Sequence, residues 1–261
     1  SVEVAQILND RGVVAKFRGD FDHAAADYGR AVAILERVVG PDHPEVAAVL
    51  HNVAGLDHAR GAFGSAEGPA RRSVEIRERA LGPDHLAVAL DRAALAAILD
   101  RLGRPDEAES LLAAALTVLR ATLGPRHREV ATALNNLAAI AQARGDLVEA
   151  ERLYRESLSI KRVALGPRSP SVGITLNNLA VVLRRRGDFA GSADLADQAI
   201  DVLVGTVEPD HPALAAARAT RSSVAVRLER EGRRDGPGRG TDQATATDPA
   251  MGTDRVTGVD H

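Results

Sequence analysis

The sequence predicts an all-α protein in which helix pairs stack into a solenoid. Two glycine-marked signals recur every 42 residues, and the segments between them carry apolar residues at helical spacing. Only 2% of the 261 residues are aromatic and alanine is abundant, which favours closely packed helices over a sheet. Because one helix pair cannot bury its apolar stripe alone, such pairs stack into a curved array with a concave inner surface.

The first signal is a linker in which a glycine is followed by Pro-Asp-His-Pro or a variant of it. Its glycines are Gly40, Gly82, Gly124 and Gly166. A fifth copy at 208–212 keeps the register without the glycine. Five copies in phase indicate a true internal repeat.

The second signal is a tighter turn, marked by Gly19, Gly61, Gly103, Gly145 and Gly187. A glycine just past a helix end accepts the left-handed conformation, and a proline just inside the next helix needs no hydrogen-bonded amide. The unit is therefore helix A, tight turn, helix B and a longer turn.

Each helix shows the apolar stripe that this unit requires. Helix A of one unit carries Leu134, Leu137, Ala138 and Ala141, and helix B of the first carries Ala24, Tyr28, Ala31 and Leu35. We predict about four helix pairs plus a capping helix at about 212–231, in which Arg218 and Arg221 replace leucines and present polar groups. The solenoid is expected at 1–231. A disordered tail is expected at 232–261, where large apolar residues are almost absent.

Several motifs carry a family resemblance. They are the two copies of Leu-Asn-Asn-Leu-Ala at 134–138 and 176–180, the Ala-to-Tyr spacing of helix B, and the Leu-Gly-Pro-Asp-His-Pro linker. Together they resemble the 42-residue tetratricopeptide repeats of kinesin light chains and their bacterial relatives, from about Val4 to Arg227. The resemblance implies a right-handed α-α solenoid that holds another protein or peptide. Arg11-Gly12, Arg92 and Ala93-Ala94 depart from the pattern, so less regular packing is expected there.

The sequence offers little support for other functions. It has no cysteine, no glycine-rich phosphate loop, no His-Glu-x-x-His helix and no nucleophile elbow. A net charge of -3 creates no field that attracts nucleic acid or an anionic membrane. No apolar run approaches the roughly 20 residues of a membrane helix. We therefore predict a cytoplasmic protein that is not an enzyme, has no cofactor and binds neither nucleic acid nor membrane.

The eight histidines do not form a metal site in this interpretation. His43, His85, His127 and His211 recur in register, but equivalent residues of packed helices are about 8 to 10 Å apart, too far to share a zinc ion. They are expected to cap or order the turn before each helix A. His51 and His58 lie two turns apart, about 10 Å, and are expected to be polar groups of the groove.

The candidate binding residues are polar positions of the A helices. Asparagine is a mediocre helix former, so its recurrence within helices needs an explanation. By resemblance these residues line the concave groove, where an amide grips a ligand's backbone through its donor and its acceptor. The predicted groove residues are Asn9, Lys16, His51, Asn52, His58, Asn135, Asn136, Gln142, Asn177, Asn178, Arg184 and Arg185.

Two alternatives remain for these residues. The asparagines could instead bond to neighbouring helices and stiffen the solenoid, and the arginines at 184–186 could be a solvated helix end. If they face the groove, an acidic peptide or a C-terminal carboxylate is the favoured ligand.

The partner is thus predicted to be a protein or peptide, with other domains of a longer parent chain as further candidates. A regulatory repeat domain of a larger signalling nucleotide hydrolase is the alternative function, again by resemblance. The aspartates of the tail could visit the groove as an internal ligand, or the tail could be a passive linker.

Overall fold

In the computed structural model, which describes residues 1–235 and side chains as far as residue 230, the chain is helical throughout. The helices of the described part are α1 (Val2–Phe17), α2 (Phe21–Val38), α3 (Pro44–Ala59), α4 (Phe63–Leu81), α5 (Leu86–Arg101), α6 (Pro105–Leu123), α7 (Arg128–Arg144), α8 (Leu147–Ala164), α9 (Pro170–Arg186), α10 (Phe189–Val204) and α11 (Pro212–Asp235). Odd-numbered helices are A helices and even-numbered helices are B helices.

The solenoid prediction is confirmed, but the predicted number of pairs is one too small. Five A/B pairs precede α11, because each of the five tight-turn glycines joins one pair. Helix α11 also continues to Asp235, four residues beyond its predicted end. The rest of the predicted tail, 236–261, lies outside the described residues.

Turn chemistry explains where the helices begin and end. The glycines of both signals have φ between 74° and 94°, the left-handed region that was predicted for them. Asp20, Asp146 and Asp188 cap B helices by accepting a hydrogen bond from the backbone amide three residues later.

The recurrent histidines cap A helices, as predicted. Nδ1 of His43, His85, His127 and His211 accepts from the backbone amide two residues later, at 3.1 to 3.2 Å. The Nδ1 atom must be unprotonated to accept, so these histidines are structural.

The apolar stripes form the core, with Tyr28 and Tyr154 among the largest buried side chains. Gly12 is one of the departures from the repeat pattern, and Tyr28 explains it. A Cβ atom on Gly12 would lie 2.5 Å from Cε1 of Tyr28, so the ring occupies the space that alanine fills in other A helices.

The two arginines among the predicted irregularities are accommodated by ion pairs. Arg11 pairs with Asp27 at 3.2 Å, and Arg92 pairs with Glu78 at 2.6 Å. The predicted cap is corrected in one respect. Arg218 is exposed as expected, but Arg221 donates to Asp197 of α10 at 2.8 Å and so faces back into the array.

Phenylalanines begin three of the B helices and lie at the A-to-B corners. Phe21, Phe63 and Phe189 are each half-buried. The guanidinium groups of Arg60, Arg101 and Arg227 lie over their rings, 5.8, 4.8 and 5.3 Å from the centroids. Each arginine belongs to the next A helix or its C-cap, so these cation–π contacts join consecutive pairs.

Candidate functional site

The A helices line the inner surface of the curved array. Each A helix contacts the A helix of the next pair, from α1 with α3 to α9 with α11. Between the described B helices no such contact occurs. The A side is therefore the shorter, concave side, and polar residues of A helices that point away from the B helices lie in the groove.

The predicted groove asparagines fall into two sets of equivalent positions on the A helices. Asn9, His51, Asn135 and Asn177 are successive equivalents, except that Ala93 takes the place in α5. Asn52, Asn136 and Asn178 follow directly, and all three are half-buried. Near the first end, Nδ2 of Asn52 donates to Oδ1 of Asn9 at 2.7 Å. That contact is of the stiffening kind, between neighbouring A helices.

A buried ionic cluster lies under the groove between α3, α4 and α5. The carboxylate of Asp91 is 1% exposed. It accepts from Arg77 Nη1 at 2.7 Å and from Ser73 Oγ at 2.5 Å, and Nδ1 of His51 lies 2.8 Å from it. The buried charges are thus matched, and predicted groove residue His51 is held by a carboxylate.

The equivalent cluster 84 residues later lacks the carboxylate. Lys161 stands where Arg77 stands, Thr175 where Asp91 stands and Asn135 where His51 stands. The ammonium group of Lys161, in a residue only 5% exposed, lies 2.8 Å from Thr175 Oγ1 and 3.5 Å from Asn135 Oδ1. Both partners are neutral.

The missing counter-charge makes Lys161 unusual. Burial lowers its pKa from 10.5 to about 8, because desolvation disfavours the charged form. Removing water from a cation without an opposing charge costs stability. The half-buried side chain of Asn135 connects this cation to the groove, where an anion could reach it.

Asn177 is left without the partners that Asn135 has. In the next repeat, Leu203 and Ala217 stand at the positions equivalent to Lys161 and Thr175, and neither side chain can form a hydrogen bond with Asn177. Accordingly Oδ1 of Asn177 is buried and accepts no hydrogen bond from any described residue. An unsatisfied buried acceptor is costly unless a ligand or water supplies a donor.

About two turns further along the A helices lies a second row of predicted residues. Lys16, His58, Gln142 and Arg184 are successive equivalents, with Asp100 in α5. His58 meets the ring of Phe63 edge-on at 5.3 Å. Burial, together with the charges of Arg101 and Lys16, lowers the pKa of His58. Burial likewise lowers the pKa of Lys16.

Unsatisfied atoms recur at the α7–α9 end of this row. Oε1 of Gln142 and Nε of Arg184 are buried, and neither has a hydrogen-bond partner within the described residues. Arg185 donates to the carbonyl of Gln142 at 2.6 Å, whereas Arg186 turns away to pair with Glu151 of α8. The arginine run is therefore divided between the groove side and the outer side.

Comparisons with known proteins agree with this architecture. A sequence profile described as tetratricopeptide repeat matches residues 3–79, 70–121, 89–162 and 129–203. The chain belongs to the tetratricopeptide repeat family. Tetratricopeptide repeats are in general protein–protein interaction modules, and proteins built from them are typically non-catalytic scaffolds.

Solved structures show the same tetratricopeptide fold. A Podosopora anserina protein of nearly identical kinesin-light-chain TPR-like repeats is 22% identical, with a TM-score of 0.60 over 74% of this chain and 92% of that one. A variant of that protein with a single substitution gives a TM-score of 0.63 at 22% identity, over 76% and 93% of the two chains. BtubC (BKLC) from P. vanneervenii is 20% identical, with a TM-score of 0.60 over 89% and 99%. A search of curated proteins gives no match.

The described tetratricopeptide helices contain no group of three or more His, Cys, Asp or Glu side chains that could hold a metal ion. None of these helices is long and apolar enough to cross a membrane.

Sequence reasoning missed the residues beneath the groove, namely Ser73, Arg77, Asp91, Lys161 and Thr175. A signal was available. Lys161 is one of only two lysines in the chain, and it stands where the neighbouring repeats carry Leu119 and Leu203. A charge at an apolar position of a tetratricopeptide B helix indicates a buried polar contact.

Proposed function

We propose that this chain binds a segment of a partner protein in its concave groove, with the centre of the site on α7 and α9. The observation that carries the proposal is the concentration of unsatisfied buried atoms there: Oε1 of Gln142, Oδ1 of Asn177 and Nε of Arg184. A peptide backbone supplies the donors and the acceptor that these atoms lack. The curved array gives such a segment a long concave surface.

The same end of the groove favours an acidic segment. Lys161 has no counter-charge of its own, and Arg184 and Arg185 add two guanidinium groups about two turns beyond Asn177 on α9. A carboxylate on the segment would reach Lys161 through the position of Asn135 and would play the part that Asp91 plays in the first cluster.

A random peptide library displayed on phage tests both peptide binding in the groove and the preference for acidic segments. We expect selected peptides to be rich in Asp and Glu. The double variant with Asn135→Ala and Asn177→Ala should bind a selected peptide at least about tenfold more weakly, about 1.4 kcal/mol, by fluorescence anisotropy. Gln198→Ala is the matched control, because it removes an exposed amide from a B helix.

The outcomes test the groove assignment and the preference for acidic peptides separately. Equal affinities for the wild-type chain and the double variant would show that the asparagines have a structural role only. Selected peptides without acidic residues, or an affinity that Lys161→Met leaves unchanged, would refute the acidic preference and leave the groove assignment in place.

A further inference from the structure

A pocket of about 330 Å³ lies between α9 and α11, beside the first residue of α10. The residues that line it are Arg184, Arg185, Phe189, Ser223 and Arg227. Three of these five residues are arginines, and none is an aspartate or a glutamate. We call this cavity the α9–α11 pocket.

The equivalent pocket two repeats earlier contains an acid. It lies between α5 and α7, and Asp100 lines it at the position that Arg184 occupies in α9. The buried Asp91 of α5 is likewise replaced in α9, by Thr175. Helix α9 therefore lacks both acids that α5 contributes to these sites, and the α9–α11 pocket has a cation where the earlier pocket has a carboxylate.

Arginines at or just beyond the ends of four A helices are held by carboxylates of the preceding B helix. They are Arg60, Arg104, Arg144 and Arg186. Arg184 and Arg185 form no ion pair with any residue whose side chain is described. Nε of Arg184 is buried without an acceptor, and Arg185 donates to the neutral carbonyl of Gln142. Within that part of the chain, two of the pocket's cations therefore lack the acid that their neighbours have.

Packing holds the third arginine at the pocket. The guanidinium group of Arg227 lies 5.3 Å from the centroid of the half-buried ring of Phe189. Asp188, which precedes this ring in the chain, is engaged elsewhere, since its Oδ1 accepts from the backbone amide of Gly191 at 2.8 Å and caps α10. The pocket therefore brings three guanidinium groups together without a carboxylate among its lining residues.

The charge of the pocket indicates a ligand with more than one negative charge. A phosphate ester carries a charge of about −1.5 to −2 near neutral pH and three acceptor oxygens, whereas a carboxylate carries one charge and two oxygens. Arginine forks bind such oxygens in pairs, so three arginines suit a phosphoryl group better than a single carboxylate. We infer that the α9–α11 pocket binds a phosphoryl group on a serine or threonine of the segment that occupies the groove. The inference rests on the proposed function, because Arg184 borders both that segment and the pocket.

A peptide array identifies such a segment. Random peptides with phosphoserine fixed at the centre are probed with the full chain, and twin arrays carry serine or glutamate at that position. We expect peptides whose phosphoserine form binds at least about tenfold more tightly than the serine and glutamate forms by fluorescence anisotropy, because the phosphoryl group adds charge-assisted hydrogen bonds. An array without such peptides would overturn the inference, and acidic binders on the serine or glutamate arrays would still support the proposed function.

Two variants of α11 test whether the pocket binds the phosphoryl group. Ser223→Asp places a carboxylate in the pocket and should abolish the gain from phosphorylation. Ser222→Asp is the matched control, because it adds the same charge at the neighbouring residue, which is exposed and does not line the pocket. This control should keep the gain. Equal affinities of the two variants for the phosphopeptide, with circular dichroism unchanged, would overturn the inference.

Calorimetry with inorganic phosphate separates the two sources of a phosphoryl group. A segment makes contacts of its own with Asn135 and Asn177, so the phosphopeptide should bind the wild-type chain more tightly than inorganic phosphate does. The double variant with Asn135→Ala and Asn177→Ala should weaken binding of the peptide only. Phosphate that binds as tightly as the phosphopeptide would refute a bound segment as the source. An unchanged peptide affinity of the double variant, with the gain from phosphorylation intact, would refute the role of the groove asparagines and support the pocket.

Discussion

Replacing Lys161 with methionine should stabilise the fold near neutral pH. Leu35, Leu119 and Leu203 occupy the equivalent position in three other pairs, so the site suits an apolar side chain of similar length. In the wild-type chain burial lowers the pKa of Lys161 from 10.5 to about 8. At about 1.36 kcal/mol per pH unit, this change corresponds to a penalty of about 3 kcal/mol when the amine is charged in both the folded and the unfolded state.

The sign of the pH dependence follows from the same change. Below pH 8 both states hold the proton, so the penalty is complete. Between about pH 8 and 10.5 the unfolded state holds more protons than the folded state, and stability therefore rises with pH. Burial raises the pKa of Tyr28 to about 12 and that of Tyr154 as well, so these groups reduce stability above pH 10. Both tyrosines are present in the variant, and their effect cancels in the difference.

Urea unfolding followed by circular dichroism at pH 7, 8, 9 and 10 measures that difference. We expect Lys161→Met to be more stable by up to about 3 kcal/mol at pH 7, and the advantage to shrink as the pH rises. A variant that is less stable at pH 7, or an advantage that does not change with pH, would refute the view that Lys161 is a buried cation without a counter-charge.

Substitutions at four further positions test packing, helix capping and ion pairing by urea unfolding. Gly12→Ala should destabilise the fold by about 1 to 3 kcal/mol, because the added Cβ clashes with the ring of Tyr28. Gly55→Ala should be neutral or slightly stabilising, because its Cβ meets only the flexible end of Lys16. Equal effects of the two substitutions would contradict this account of the packing. His85→Ala should cost about 1 kcal/mol and His85→Asn almost nothing, unless the ring has no capping role. Asp91→Ala should cost up to about 3 kcal/mol, because it leaves the half-buried Arg77 and the buried Ser73 without their carboxylate partner. A loss below about 1 kcal/mol would show that the pair is not desolvated.

The sequence could predict the elements that local chemistry determines. The glycines at positive φ, the prolines at helix starts and the histidine caps act within a few residues, so their 42-residue recurrence was enough to place the turns and to identify the solenoid. The pair count was wrong because it followed the four glycine-marked linkers rather than the five tight turns. Arg221 was misplaced because periodicity alone does not show whether an arginine points outward or pairs with the preceding B helix.

The candidate site was predicted less completely, for a physical reason. Recurrence on one face of the A helices is visible in the sequence, and it was enough to select Asn135, Asn177 and Arg184 as candidates. Residues beneath the groove act through contacts between three helices, such as α7, α8 and α9 around Lys161. Knowing which positions face one another across a stack requires the register of the stack, which the structure supplies.

That register also shows that the repeats alternate. The junctions α4–α5 and α8–α9 carry a cation, the half-buried Arg77 and the buried Lys161, whereas the junctions before, between and after them bury leucine at the same position. Sliding at the Arg77 junction would separate Arg77 and Ser73 from Asp91, so we expect this junction to resist a shift of register. The Lys161 junction has the same geometry without the acid. If a bound segment supplies the missing counter-charge of Lys161, it would stabilise the array most at the α8–α9 junction. Binding and stiffening would then occur at the same junction.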